Sequence, residues 1–360
     1  MKRFLFMSAL ASVALASCVN DESNAIVDAP QPLRFDAPVM TTQTRANVKG
    51  EITSSYPTGE DFMVYSKKYV GNFKGWTNSE NSVDFFKTVG EIAKHNGSYW
   101  ATDTKHTWPL STYNLAFAAF SPAKLNEGAS VTYDAAGLTI TNFTTETESE
   151  KQYDLMFSDR VVDRNNTNNG NTAVNIHFHH ALSSIVFSVS KGTDNPKNYE
   201  IESLKIVGKF YTTGTFKQNI VETTSGSYSE TSDPKWEISA TRPDNETTYI
   251  PQFDKFTAST TPAIFTGGES ALLLIPQQLY GDEKILITFT KTEDGLEDVK
   301  YTDYEIPLSE FKLADANPIT NWVMGNRYNY RIYFGGTPLI FFNPTVDAWV
   351  DGGIATYTIR

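Results

Sequence analysis

The sequence has little cysteine, few basic residues and no long apolar stretch. One cysteine, Cys18, stands among 360 residues, so the chain can form neither an internal disulfide nor a thiolate metal cluster. Lys and Arg number 30 against 42 Asp and Glu, a formal net charge of −12. Nucleic-acid-binding proteins carry clustered basic surfaces on net basic domains. We therefore expect no nucleic acid among the partners of this chain.

The longest apolar stretch lies at the start of the chain. Residues 4–16 are apolar or small, which is too short for a membrane-spanning helix of about 20 residues. They follow a basic pair and end in small residues, the pattern of a secretory signal peptide. Leu15-Ala16-Ser17-Cys18 resembles the bacterial lipobox. We predict that residues 1–17 are a lipoprotein signal peptide and that Cys18 is acylated; the alternative is an ordinary signal peptide.

Residues 18–45 are rich in Asn, Asp, Ala, Pro and Thr. This composition is typical of a tether or pro-segment and argues against a core element. The Arg45–Ala46 bond is a candidate cleavage site for a trypsin-like, Arg-specific protease. An isolated arginine in a polar segment usually has no such role, so the composition leaves processing open.

The rest of the chain is predicted to be all-β. Many short segments rich in β-branched and aromatic residues are bounded by turn-forming residues, and no β–α alternation is visible. We expect two β-sandwiches in series, an N-terminal domain at 46–173 and a C-terminal domain at 174–360. The expected strands are Phe62–Ser66, Leu115–Phe120, Ser130–Ile140, Tyr153–Phe157, Val174–Val189, Tyr199–Val207, Ala271–Ile275, Lys284–Phe289, Tyr301–Ile306, Tyr328–Phe334 and Leu339–Trp349. Two stretches, Val83–Ala93 and Leu308–Leu313, are predicted to be helical.

The stretch from residue 174 to residue 189 contains two apolar patterns in opposite phase. Ile176 and Phe178 point to one face, while Ile185, Phe187 and Val189 point to the other. One strand cannot place both sets in one core, because side chains alternate with a period of two. The pattern predicts a break near residues 180–184.

Motifs for catalysis or cofactor binding are missing. The sequence contains no G-x-S-x-G, no P-loop and no dinucleotide fingerprint, so we predict no enzymatic activity, no catalytic residue and no cofactor. His177 and His179 lie on one face of a predicted strand, a spacing that suits a metal. The sequence places no carboxylate beside them, so we predict strand histidines without a metal.

Several phrases resemble, in order, the fimbrillin family of Bacteroides-type bacteria, the fimbrillin-like and minor-fimbria-like pilin subunits. No single phrase is specific, but their order and spacing together are. The phrases are Trp108-Pro109 with Leu115–Pro122 (LAFAAFSP), Tyr153–Phe157 (YDLMF), Val174–Phe187 (VNIHFHHALSSIVF), Leu272–Gln277 (LLLIPQ), Trp322–Tyr330 (WVMGNRYNY) and Val346–Trp349 (VDAW).

The resemblance implies two tandem transthyretin-like β-sandwich domains. It also implies a structural subunit of a cell-surface fimbria, exported to the outer membrane as a lipoprotein through Cys18 and contributing to adhesion. Its partners would be a protease that cuts after Arg45 and other fimbrial subunits, joined by β-strand addition. Removing an N-terminal strand would expose unpaired backbone groups and an apolar groove for another chain's strand.

The candidate donor strand is the C-terminal tail. Ile354 lies on one face, whereas Ala355, Tyr357 and Ile359 lie on the other, and burial of these three would contribute roughly 4–7 kcal/mol. The alternative is a last strand that stays in its own sheet. A second class of function also remains, a non-polymerising, anchor or tip surface lipoprotein that acts as an adhesin or glycan-binding module.

Overall fold

The computed structural model describes residues 31–37, 51–52, 56–73, 83–110, 112–169, 172–223, 229–312, 318–335 and 350–359. In these ranges the strands are β1 Phe35–Asp36, β2 Phe62–Val70, β3 Val83–Asp84, β4 Glu91–His95, β5 Trp100–Thr102, β6 Tyr113–Ser121, β7 Ser130–Asp134, β8 Gly137–Thr144, β9 Met156–Ser158, β10 Val161–Arg164, β11 Val174–Asn175, β12 Phe178–His180, β13 Ser183–Lys191, β14 Asn198–Gly208, β15 Thr213–Lys217, β16 Ile220–Thr223, β17 Ser229–Ser232, β18 Lys235–Glu237, β19 Thr247–Tyr249, β20 Phe256–Thr257, β21 Ala263–Ile264, β22 Leu272–Leu274, β23 Gln277–Gln278, β24 Lys284–Thr292, β25 Val299–Pro307, β26 Asn321–Trp322, β27 Asn326–Phe334 and β28 Val350–Ile359.

Helical structure in these ranges is limited to one α-helical turn and three 3₁₀ turns. The α-helical turn is α1, Asn166–Asn169, and the 3₁₀ turns are Ser149–Lys151, Gly268–Ser270 and Leu308–Glu310. The all-β prediction is confirmed.

A ten-stranded sheet contains most strands before residue 181. Its main order is β11-β1-β5-β4-β2-β6-β9-β12, with β10 beside β6 and β3 beside β2. One face covers an aromatic core that includes Phe35, Phe62, Trp100 and Phe117.

Two five-stranded sheets share the largest core. One has the order β21-β13-β27-β28 with β22 beside β13, and the other has the order β19-β14-β24-β25 with β20 beside β14. Alternate side chains of both sheets meet in this core, for example Ile185, Leu204, Ile287 and Ile332. This is the strand periodicity that the sequence shows.

A four-stranded sheet joins segments from both sides of residue 173. Its order is β18-β15-β8-β7, and Phe216 of β15 lies opposite Ile140 of β8. A third core beneath it contains both of these residues together with Leu182 and Leu273. The domain boundary near residue 173 stays a prediction. Strands from before and after this residue pair with each other in the four-stranded sheet. Two further sheets are pairs, β16-β17 and β23-β26.

The break predicted between residues 174 and 189 is confirmed. Strand β12 ends at His180 and β13 begins at Ser183. Ile176 lies in the core of the ten-stranded sheet with Phe178 packed against it, whereas Phe187 lies in the largest core. The two apolar phases therefore serve two separate cores.

The helix predicted for Val83–Ala93 is wrong. Val83–Asp84 pairs with β2, and Ala93 of β4 lies opposite Phe62 of β2. Gly90 between them has φ +80°, a left-handed conformation that ends any helix. Pairing with β2 therefore overrides the helical spacing of the apolar residues.

Two other expected elements are shorter or divided. The second predicted helix, Leu308–Leu313, is reduced to a single 3₁₀ turn at Leu308–Glu310. The long strand expected at Ser130–Ile140 is the hairpin β7–β8, which turns at Gly137 with φ +90°. The strand expected at 339–349 lies outside the described residues.

Candidate assembly site: the strands at the two ends of the chain

Strand β1 lies inside the ten-stranded sheet, between β11 and β5. It runs parallel to β11 and antiparallel to β5. On one side Arg34 O accepts a hydrogen bond from Val174 N at 2.7 Å and Asp36 O accepts one from Ile176 N at 2.7 Å. On the other side Leu33 N donates to His106 O at 2.9 Å. Backbone bonds on both sides make this short segment an interior strand of the sheet.

Alternate residues of this segment fill the core. Leu33, Phe35 and Ala37 are buried while Asp36 between them is exposed. The Phe35 ring makes edge contacts with Phe117, Phe62 and Phe86 at centroid distances of 5.5, 6.2 and 6.3 Å, the geometry that aromatic pairs prefer. Burial of a side chain such as Leu or Phe stabilises the fold by about 1.5–3 kcal/mol.

The expectation that residues 18–45 contribute nothing to the core is therefore wrong for residues 31–37. The polar composition of residues 18–45 is misleading here, because the three apolar side chains Leu33, Phe35 and Ala37, spaced by two residues, suffice for a buried strand. Cys18, Arg45 and Ala46 lie outside the described residues, so their predicted roles stay predictions.

The chain is anchored again just after the predicted cleavage site. Glu51 N donates to Gly268 O at 3.1 Å, and Ile52 N donates to Asp154 Oδ2 at 3.2 Å. Both residues are buried. Arg45 therefore lies, in sequence, between two segments that are fixed to different parts of the protein.

The candidate donor strand, β28, lies at the edge of its sheet. It runs parallel to β27, and Ile354, Ala355, Tyr357 and Ile359 lie in register with Asn329, Tyr330, Ile332 and Phe334. In the order β21-β13-β27-β28 it is the last strand. The tail thus stays in its own sheet in this chain, and its departure would leave one side of β27 without a neighbour.

The prediction that His177 and His179 have no carboxylate beside them is wrong. His177 Nδ1 lies 3.0 Å from Asp159 Oδ2, and His179 Nε2 lies 2.9 Å from Asp159 Oδ1. Hydrogen bonds from His179 and His177 hold the pKa of Asp159 below its ordinary value, although partial burial opposes this. Sequence reasoning missed Asp159 because it precedes His177 by 18 positions and only the β9–β12 pairing brings it there.

The aromatic side chains serve mainly as core. Trp100, Trp108 and Trp322 are buried. Among the large hydrophobic residues that the described ranges expose, the aromatic ones are Tyr153 and Tyr280, and Arg242 covers the ring of Tyr280 at 4.2 Å.

The fimbrillin-like family model matches residues 44–349, and the chain belongs to this family. The chain is similar in fold to a fimbrial protein from Bacteroides vulgatus, with 16% identity, a TM-score of 0.51, and coverage of 84% of this chain and 94% of that one. It is also similar to a protein from Bacteroides uniformis described as a candidate cell adhesion protein, with 14% identity, a TM-score of 0.46 and coverage of 85% and 93%.

No curated protein sequence matches the chain. In the part of the chain that the structure describes, no helix is both long enough and apolar enough to span a bilayer.

Proposed function

We propose that this chain is a structural subunit of a cell-surface fimbria that contributes to adhesion. It is exported as a lipoprotein through Cys18, cut between Arg45 and Ala46, and assembled by strand exchange. Membership of the fimbrillin-like family and the fold shared with a fimbrial protein support the class of function. The observation that carries the assembly mechanism is the burial of Phe35, ten residues before Arg45, inside the sheet.

Cleavage at Arg45 would convert β1 from part of the chain into a bound peptide. Its departure leaves a gap between β11 and β5, where the N–H groups of Val174 and Ile176 and the carbonyl of His106 lose their partners. Buried polar groups without partners cost about 1–3 kcal/mol each. The floor of the gap is the aromatic pocket that held Phe35. Such a gap favours the entry of another strand.

The C-terminal tail matches this gap when it is read backwards. Leu33, Phe35 and Ala37 occupy the gap at two-residue spacing, and Ile359, Tyr357 and Ala355 repeat the same order of sizes. Read forwards, Ala355 would lie in the Leu33 position and Ile359 in the Ala37 position. The match predicts that a donor strand enters in the direction opposite to β1, antiparallel to β11.

A cleavage experiment tests the mechanism. The purified chain, with Cys18→Ser to remove the lipid, is treated with a trypsin-like protease, and the product is examined by N-terminal sequencing and by gels of unheated and heated samples. We expect Ala46 at the new N-terminus and a ladder of heat-resistant oligomers. Arg45→Ala should abolish both.

The matched control is Arg34→Ala. Arg34 is held in the sheet by the hydrogen bond from Val174 N to its carbonyl, and its guanidinium covers the ring of Tyr99 at 4.7 Å. A protease therefore reaches the bond after Arg34 poorly. Because Arg34 is not the proposed cleavage site, Arg34→Ala should polymerise like the parent. Polymers from uncut Arg45→Ala protein, or monomers only after complete cleavage at Arg45, would contradict the proposal.

A non-polymerising, anchor or tip surface lipoprotein is the second candidate. The pairing of β28 along β27 in its own sheet favours it, because a subunit that keeps its tail has no strand to donate. It predicts a mature surface protein that still begins at an acylated Cys18.

A further inference from the structure

Three metal-ligating side chains meet at the last strand of the ten-stranded sheet. Asp159, His177 and His179 are the group in the described ranges whose ligand atoms all lie within 4.8 Å of one another. We propose that they form a site for a divalent transition metal of the zinc type, with one coordination position left open to solvent. Nothing in the proposed assembly mechanism requires this site.

The sheet builds the cluster from two neighbouring strands. β12 pairs antiparallel with β9, which places His179 opposite Phe157. The pairing continues one step beyond β9, where Asp159 N donates to His177 O at 3.1 Å. Residues two apart on a strand point to the same face, so His177 and His179 present their rings together beside the carboxylate opposite.

The spacing of the ligand atoms suits a small cation. The Asp159 oxygens lie 3.0 Å from His177 Nδ1 and 2.9 Å from His179 Nε2. Ligand atoms at about 2.0–2.1 Å from a tetrahedral zinc are separated by about 3.3 Å. These two separations are within a few tenths of an ångström of that value, and all three ligand atoms lie within 4.8 Å of one another. A metal would replace the hydrogens that now join these atoms, and small side-chain rotations would open the space.

The two histidine rings already lie close together, edge to face. Their centroids are 4.5 Å apart and their planes are nearly perpendicular, at 84°. The ring of Phe157 lies 5.4 Å from that of His179 and restricts its rotation. Pre-arranged ligands lose less conformational freedom on binding, which favours metal binding at this surface position.

The chemistry of the ligands selects the metal. Two imidazoles and one carboxylate suit zinc, copper and nickel, whereas calcium and magnesium prefer sites built from oxygen ligands. Three protein ligands leave one tetrahedral position for water or for a group of another molecule. The side chains of His177, Asp159 and His179 are 59%, 55% and 40% exposed, so ions reach them directly.

Two other histidines show how this cluster differs. His106 pairs with Glu91 at 3.0 Å, and His180 pairs with Asp154 at 2.9 Å, with exposed fractions of only 17% and 12% for the histidine side chains. Neither belongs to a group of three ligands within reach of one ion in the described part of the chain.

Cobalt and zinc titrations test the proposal. The full chain, without a histidine tag and with Cys18→Ser to remove the thiol, is titrated with Co²⁺ and followed by visible absorption, then back-titrated with Zn²⁺. We expect one ion per chain and the absorption bands of four-coordinate cobalt, which zinc removes. His177→Gln, His179→Gln and Asp159→Asn should each weaken binding by at least the 10–100-fold that loss of an outer-shell partner costs.

The matched control is His95→Gln, which removes a histidine elsewhere in the same sheet and should leave the affinity unchanged. Circular dichroism of the metal-free variants should match the parent, because the cluster is exposed. Binding that survives all three substitutions, or that falls equally with His95→Gln, would overturn the site. The titrations measure metal binding and not polymerisation. They therefore test the metal site even if the proposed assembly mechanism is wrong.

Discussion

Glu51 and Arg327 form an ion pair beneath the surface, with Arg327 Nε 3.2 Å from Glu51 Oε1. The Glu51 side chain is fully buried and that of Arg327 is 20% exposed. Ser184 Oγ donates to the same Glu51 oxygen at 2.8 Å. The pair connects the segment that follows the predicted cleavage site with β13 and β27, two strands of the sheet that also holds β28.

Loss of the arginine should destabilise the protein strongly. Arg327→Gln leaves the Glu51 carboxylate buried without its cation, which costs about 3–5 kcal/mol for a buried pair. Urea denaturation at neutral pH measures the loss. Lys312→Gln is a matched control, because it removes an exposed cation, and we expect a change within about 0.5 kcal/mol. A similar small change for Arg327→Gln would show that the pair contributes nothing.

The stability should also depend on pH through Glu51. Burial raises the pKa of Glu51 above its ordinary value, although Arg327 opposes the shift. A raised folded-state pKa means that the folded protein binds the proton more tightly than the unfolded chain does. The contribution of Glu51 is therefore fully present below its unfolded pKa of about 4.3 and is lost as the pH rises through the folded value.

Two variants isolate this dependence. Glu51→Gln cannot titrate, so the unfolding free energy of the parent relative to Glu51→Gln should fall as the pH rises from about 4 towards neutrality. In Arg327→Gln the fall should be larger and extend to higher pH, because the strongest interaction that opposes the burial of the Glu51 charge is gone. Parallel pH profiles for the parent and Glu51→Gln would contradict the raised pKa.

Phe35→Ala should destabilise the uncut chain by about 3–5 kcal/mol, the usual cost of truncating a buried Phe. The fully buried ring contacts three other aromatic rings, and alanine leaves a cavity between them. Chemical denaturation measures the change, with the exposed neighbour Asp36→Ala as a control expected within about 0.5 kcal/mol.

Phe35→Ala should change the stability of the uncut precursor and of the fibre differently. If residues 31–37 leave after cleavage, polymers made from Phe35→Ala protein should be as stable as polymers of the parent. Equal destabilisation of precursor and polymer would show that β1 stays in place.

Substitution of Ala355 tests the proposed direction of strand exchange. A donor that runs opposite to β1 places Ala355 where Ala37 was buried, so Ala355→Leu would overfill that position at a cost of about 1–3 kcal/mol and slow polymerisation. A donor that runs with β1 places Ala355 in the Leu33 position, where leucine fits. Polymer yield after cleavage distinguishes the two directions.

Tyr357 provides the companion test. Tyr357→Ala should abolish most polymerisation, because it removes the ring that would fill the Phe35 pocket, while Tyr357→Phe should retain it. If both variants polymerise like the parent, the donor strand is another segment.

Membrane attachment should depend on Cys18 alone. Cys18→Ala removes the predicted acylation site, and buried acyl chains would be what holds the protein on the membrane. Palmitate labelling of cells that express each form is the measurement. Equal labelling of parent and variant would disprove the lipoprotein prediction.

The sequence predicts those parts of the fold that depend on the alternation of apolar and polar side chains within one strand. The change of phase between Ile176 and Phe187 predicts the break to within a few residues, because successive side chains of one strand point to opposite faces. Val83–Ala93 was misread because a distant strand, β2, decides its conformation. No pattern within residues 83–93 indicates that β2 is their partner.

The candidate sites show the same limit. The role of Phe35 was not predicted because the composition of residues 18–45 outweighed the short alternation of Leu33, Phe35 and Ala37, and only the sheet shows that these side chains fill a core. Asp159 became visible as a partner of His177 only through antiparallel pairing. Contacts between residues far apart in sequence depend on register, which composition and spacing alone do not determine.

The four-stranded sheet β18-β15-β8-β7 has a mechanical consequence. Because β8 and β15 come from opposite sides of residue 173, the polypeptide link at that point is not the only connection between the two halves of the chain. A tensile load across it is shared by the β8–β15 pairing, in which Phe143 lies opposite Gly214 and Thr145 N donates to Thr212 O at 2.8 Å. Force spectroscopy should therefore show the two halves yielding together in a single rupture.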